Sequence, residues 1–427
     1  MLKKIYQSRI NKDDKSALKF MILNLASRVV SAIAQFYAIT VFLKHHTPNS
    51  ASVIILLFGY LSWFQLFELG LSQTIQNRFN LKRLFLNNII NIMLMHYALM
   101  IIIGFVVINT TVLSNLLLNT NAGGFTPSDK INFSIGAAVL ILASSTNLIL
   151  HRILLITRKG NTSNLILLLQ SIFIISALYI YNKSVWISQL NSILVYTLPQ
   201  LLTTLPIIVY LIHRKIRLSR KKTRALNFKE IGTNAMGFFL ISSLSSALLG
   251  LDYFMLSHYT KSNDIIEYHV TTRFFFLSFI TYYAYLTYSM KNIATAATVE
   301  HTINIYRIKI NAIIIGSLSV VAVYLLMLTL KSTNYISIIT NKTEISYSII
   351  FLAFIYYMIR VYCDTTLVIN SNLEYKKELV KTYSTQILVS ILLMPVLCEA
   401  YAGKGILISL SIAYLAGLPF QPKIKKC

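Results

Sequence analysis

Charge is scarce in this sequence. Of its 427 residues only 12% are Asp, Glu, Lys or Arg, about half the ~25% of an average soluble domain. A chain this long with so little charge cannot cover its surface with polar groups in water, so lipid must solvate much of it. Cysteine is rarer still. Cys363, Cys398 and Cys427 fit neither a metal site nor a disulfide framework. There is no G-x-x-x-x-G-K-[ST] phosphate loop, no H-E-x-x-H helix and no stretch fit for a soluble nucleotide-binding domain. No catalytic residues, metal or cofactor are expected, and any driving energy must come from outside an ATP site.

What the sequence has instead is apolar runs. Hydrophobic residues make up 56% of the chain, and mean hydropathy is +0.64. The runs predict an all-α integral membrane protein with twelve transmembrane helices. The first six are 18–43, 52–76, 86–109, 133–150, 163–181 and 188–212; the others are 231–257, 270–289, 308–330, 346–369, 382–401 and 405–420. The last is short for a ~30 Å hydrocarbon core. The basic N-terminal stretch with Ala32-Ile33-Ala34 imitates a signal peptide, but its apolar run outlasts the ~7–15 residues of a signal core and reads as a first transmembrane helix.

The net charge of +25 acquires meaning once the loops are sorted by side. One set carries 29 of the 39 Lys and Arg residues, the other carries seven, and three lie inside helices. Such asymmetry marks the cytoplasmic side, which places both termini there. The longest basic loop, 214–230, lacks the aromatic platform of a nucleic-acid site. It reads as a topology anchor against anionic lipid. It divides the chain into an N-terminal lobe, 1–213, and a C-terminal lobe, 231–427. With six spans each, the lobes share one orientation, so any duplication is a parallel repeat about the membrane normal.

Charges within spans cost at least ~2.5–3.5 kcal/mol each and therefore face a cavity or one another. Six are predicted: Arg28, Glu68, Asp252, Arg273, Arg360 and Asp364. Arg28 and Glu68 lie at ~15 and ~12 Å from the cytoplasmic ends of consecutive helices, which suggests a pair. Asp252 and Arg273 lie level near the outer ends of theirs and suggest a second. Arg360 and Asp364, spaced i, i+4, share one face. A structural ion pair is the plain alternative in each case. His96 reads as a hydrogen-bonded interior histidine rather than a proton relay. The aromatic-rich eighth span, Phe274 to Tyr288, reads chiefly as packing and lipid contact rather than sugar stacking.

The stretch Trp63-Phe64-Gln65-Leu66-Phe67-Glu68-Leu69-Gly70-Leu71-Ser72-Gln73-Thr74-Ile75-Gln76-Asn77-Arg78 resembles the second-helix signature of the O-antigen flippases, with Gly70, Gln76, Asn77 and Arg78 as its motif positions. Glu68 stands where that family more often has Asp. Leu251-Asp252-Tyr253-Phe254-Met255-Leu256-Ser257 with Tyr268 is similar to the start of the second lobe in the wider polysaccharide-exporter superfamily. The resemblance implies two six-helix lobes forming a V around a central cavity. The implied cargo is an undecaprenyl-pyrophosphate-linked oligosaccharide moved to the periplasmic leaflet of a bacterial inner membrane. It also implies coupling to H+ or Na+ and, as partners, membrane lipid, an O-antigen polymerase and a chain-length regulator, but no nucleic acid. A multidrug-type exporter of the same superfamily and a membrane O-antigen polymerase are the alternative readings. The polymerase would need a large periplasmic loop, and every outward loop here is short. Reporter fusions after Lys159 and Arg220 are expected to read cytoplasmic; a periplasmic signal at either overturns the helix count.

Overall fold

The computed structural model describes the chain apart from residues 1, 73, 76–85, 111, 118–126, 157–159, 184–188, 219–227, 295–298, 340–343, 373–375 and 422–427. The described residues are helical, with no strand among them. An apolar chain in lipid has no water for its backbone polar groups, and an α-helix satisfies them within one segment. The N-terminal helices are α1 (Leu2–His45), α2 (Pro48–Gly59), α3 (Leu61–Gln65), α4 (Leu86–Thr110), α5 (Val112–Leu117), α6 (Pro127–Ile156), α7 (Gly160–Lys183) and α8 (Gln189–Leu218). The C-terminal ones are α9 (Phe228–Tyr259), α10 (Ser262–Ala294), α11 (Val299–Ser332), α12 (Tyr335–Ile339), α13 (Tyr347–Asn372), α14 (Lys376–Tyr401) and α15 (Gly403–Gly417).

Ten helical segments among the described residues are long and apolar enough to cross a membrane, including the short last one at Gly403–Phe420. The predicted spans 188–212 and 270–289 fall inside α8 and α10, helices of 30 and 33 residues. The protein is a multi-pass membrane protein. Helices before the basic loop pack on one another, α1 on α7 and α6 on α4 and α8; those after it do likewise, α10 on α11 and α13, and α14 on α9 and α15. The two groups meet along two seams. α1 and α2 lie on α10, while α2 and α3 lie on α9.

The predicted span 52–76 is not one continuous helix, and the reason lies in these seams. Thr47 opens α2 by accepting the Ser50 N–H, with Pro48 in the first turn. The helix breaks at Tyr60, resumes as α3, tightens to a 3₁₀ turn at Leu66–Glu68 and then turns left-handed at Leu69 (φ 57°) and Gly70 (φ 68°). Each bend lets a ring or backbone approach. Tyr253 of α9 packs against Gly59, and Trp63 of α3 packs against Gly250 of α9, so each side gives a glycine notch to the other's aromatic ring. Trp63 Nε1 also donates to the Ser246 carbonyl across the seam at 2.8 Å.

A Cβ on Gly70 would lie 2.5 Å from the Ala235 carbonyl oxygen and 2.6 Å from the Phe239 nitrogen. Position 70 therefore needs glycine twice, for its left-handed backbone and for this contact. Gly70→Ala is expected to cost about 1–2 kcal/mol in backbone strain alone and to lower the thermal unfolding midpoint in detergent. An unchanged midpoint contradicts the contact.

Candidate functional site

Between the two groups lies a cavity of about 260 Å³. Phe58, Gly59, Leu61, Ser62 and Gln65 form its N-terminal wall, and Leu248, Leu249, Asp252 and Tyr253 of α9 stand opposite. Tyr268, Thr272, Arg273 and Phe276 of α10, Tyr356, Tyr357 and Arg360 of α13, and Leu410 of α15 complete it. Three of the six predicted intramembrane charges thus share one cavity, and a fourth, Asp364, is bonded to it.

Arg360 is held by one turn of its own helix and by three rings. Its Nε donates to Asp364 Oδ2 at 2.9 Å, the i, i+4 pair read from the sequence. Its guanidinium carbon lies 4.9 Å from the ring centre of Phe279, 5.9 Å from Tyr356 and 5.7 Å from Tyr357, within reach of cation–π attraction. Tyr357 is itself fixed by donating its hydroxyl to the Thr272 carbonyl at 2.8 Å. Phe275, Phe279 and Tyr282 are fully buried in the protein. These three aromatics of the eighth span form the wall behind Arg360 rather than a lipid-facing surface. Tyr283 donates to the same Asp364 oxygen at 3.4 Å.

Asp252 and Arg273 share the cavity but form no ion pair. Asp252 accepts from the Tyr268 hydroxyl at 2.7 Å and from the Tyr253 N–H at 2.8 Å. Arg273 instead reaches the other group, donating to the Phe58 carbonyl at 3.0 Å and to Gln35 Oε1 at 3.3 Å. The two residues are separate parts of the cavity wall, each satisfied from its own surroundings.

The pairing read for Arg28 and Glu68 is likewise replaced. Arg28 Nε donates to Asn24 Oδ1, one turn back, at 2.9 Å, and its electrostatic neighbour across the seam is Tyr283. Glu68 is buried in the 3₁₀ turn, where Ser72 hydrogen-bonds its carboxylate and Arg152 of α6 couples to it electrostatically. Sequence reading missed Arg152 because a positive charge just past an apolar run looks like a loop charge, whereas α6 continues to Ile156. His151, beside it, bonds Ser163 of α7. His96 packs as expected of an interior histidine, with Nε2 at 2.8 Å from the Phe67 carbonyl next to Glu68. Gly70 carries the seam contact already described; Gln76, Asn77 and Arg78 lie outside the described residues.

No family model matches the chain. It is 25% identical over 411 residues to the "Putative O-antigen transporter" of Salmonella typhi, covering 92% of this chain and 93% of that one. A "Putative O-antigen export protein" of Yersinia pseudotuberculosis is 26% identical over 359 residues, 79% of each chain. Among solved structures, an outward-facing multidrug resistance MATE family transporter of the MOP superfamily superposes with a TM-score of 0.67 over 95% of this chain and 94% of that one, at 16% identity. The inward closed lipid II flippase MurJ gives 0.64 over 94% and 86%, at 14% identity. The chain has the MOP transporter fold.

The cavity's lining is cationic on balance, two arginines to one aspartate. Two guanidiniums, Arg273 and Arg360, reach it, and the carboxylates nearby are each engaged by hydroxyl, amide or guanidinium donors. The Glu68–Arg152 coupling is expected to be structural. Arg152→Ala takes a positive charge from beside the buried Glu68 carboxylate, which among the described residues keeps only its Ser72 hydrogen bonding, so folded yield should fall below that of Arg28→Ala. Equal yields for the two variants contradict the assignment.

Proposed function

We propose that this protein is a flippase that carries undecaprenyl-pyrophosphate-linked O-antigen repeat units from the cytoplasmic to the periplasmic leaflet of a bacterial inner membrane. It does so with twelve crossings, both termini cytoplasmic, and lobes 1–213 and 231–427 joined by the basic segment 214–230. The observation that carries the reading is the guanidinium of Arg360 in its aromatic cage, facing a cavity between the two groups. The whole-length similarity to proteins named as O-antigen transporters agrees with it.

The chemistry follows from the cargo. A diphosphate bearing sugars cannot cross hydrocarbon unaided, and arginine offers it paired, charge-assisted hydrogen bonds. At about 260 Å³ the cavity is smaller than the ~300–1,000 Å³ of a drug-sized site. It holds a headgroup and not an oligosaccharide, so the two groups of helices must separate for the sugars to pass. In the empty carrier Asp364 neutralises Arg360. Phosphate oxygens compete for the guanidinium, and a carboxylate thus deprived of its partner in a partly dry site takes up a proton more readily. That exchange would couple transport to a proton gradient. A multidrug-type exporter, the second reading, is favoured by the superposition on MATE transporters but would handle cations poorly with this lining.

Complementation in cells lacking the gene tests the proposal. Loss of the protein should leave lipid-linked single repeat units on the cytoplasmic side. Arg360→Lys should restore partial surface polysaccharide, Arg360→Ala none, and Asp364→Asn should uncouple flipping from the proton gradient. Wild-type flipping by Arg360→Ala at normal expression overturns the substrate role.

A further inference from the structure

One polar bond of the α2–α10 seam also faces the cavity. α2 and α10 start at the same end of the seam. There Ser262 Oγ donates to Asn49 Oδ1 at 2.8 Å and Ser52 Oγ donates to Ser262 Oγ at 3.4 Å. Further along both helices comes the bond from Arg273 Nη2 to the Phe58 carbonyl, with Nη1 on Gln35 of α1. Arg273 thus ties α10 to two helices of the other group, and its guanidinium lines the cavity at the same time.

The tie depends on the break in the second span. Carbonyls in the last turn of a helix lack partners of their own and carry the negative end of its dipole. Phe58 lies in the last turn of α2, just before the interruption at Tyr60, so its carbonyl is open to Arg273. Both acceptors of Arg273 are neutral, a backbone carbonyl and a side-chain amide. A phosphate adds what these acceptors lack, an opposite charge and a paired, bidentate fit to the guanidinium fork. Asp252, the carboxylate electrostatically coupled to Arg273, makes its hydrogen bonds with Tyr268 and Tyr253 instead.

We propose that Arg273 is a ligand-operated latch: in the empty carrier it closes the α2–α10 seam by capping α2, and a diphosphate entering the cavity draws it off Phe58 and Gln35 and loosens that seam. The inference rests on the reading of the cavity as an anion site. It assigns the two arginines different work. The partners of Arg360 all belong to the C-terminal group, so binding there leaves the seam alone. Those of Arg273 belong to the N-terminal group, so binding there is felt by both.

Linkage makes the latch testable from two directions, because whatever the ligand does to the seam, the seam does to the ligand. The probes are farnesyl diphosphate and inorganic pyrophosphate, applied to the purified full chain in nanodiscs. Asn49→Cys/Ser262→Cys, in a background with Cys363→Ala, Cys398→Ala and Cys427→Ser, reports seam closure through its rate of disulfide formation. Saturating farnesyl diphosphate should slow that rate about fivefold or more, the lower end of ordinary coupling. Arg273→Gln should remove the response and weaken diphosphate binding without abolishing it, since Arg360 remains. Gln35→Leu, which deletes one competing acceptor, should tighten diphosphate binding several-fold. A response to either probe supports the latch, and pyrophosphate acting alone shows that the headgroup suffices. Diphosphate binding with an unchanged disulfide rate overturns the latch and leaves the anion site standing. Failure of the unmodified chain to bind either probe overturns the anion site, and the latch with it.

Discussion

A guanidinium removed from water costs several kcal/mol unless its charge and its donors are met, and the centre of this protein is arranged around two of them. Arg360 is met by a carboxylate one turn away and by three ring faces, which hydrate nothing but present negative π density. Meeting it this way accounts for Phe279 of α10 beside the guanidinium and for Tyr357 being pinned by the Thr272 carbonyl. Arg273 is met by the end of a helix from the other group. That solution requires a helix to end within the membrane, and α2 does so. The interruption at Tyr60 thus serves two ends, the close approaches of the seam and a free carbonyl for Arg273.

The arrangement of contacts between the groups has a simple order. The first long helix of the chain, α1, lies on α10, the second long helix after the basic loop. The broken second span lies on α9, the first long helix after that loop. The cavity sits between the two crossings, so a change at either seam alters its shape.

Much of this was legible in the sequence because lipid imposes severe rules. The apolar runs marked where the helices lie but not their full lengths or the break in the second span, and five of the six intramembrane charges are buried or line the cavity. The i, i+4 spacing of Arg360 and Asp364 is a local relation and survived folding unchanged. Pairings between helices did not. Depth along a span says how level two charges are, not which way each faces, so Arg28 and Asp252 found neighbours on their own helices or seams instead. Arg152 was hidden by the rule that serves so well elsewhere, since a basic residue at a helix end counts as a loop charge until α6 is seen to run past it. The break in the second span carried one legible mark, Gly70, whose need for glycine appears only when Ala235 and Phe239 arrive beside it.

The reciprocal seating of Tyr253 on Gly59 and of Trp63 on Gly250 has a mechanical meaning. A ring lodged in a notch from one side, and another lodged from the opposite side, oppose axial slippage in both directions while leaving the helices free to tilt about the contact. Enlarging either glycine would unseat the ring opposite, so tooth and socket limit each other's size.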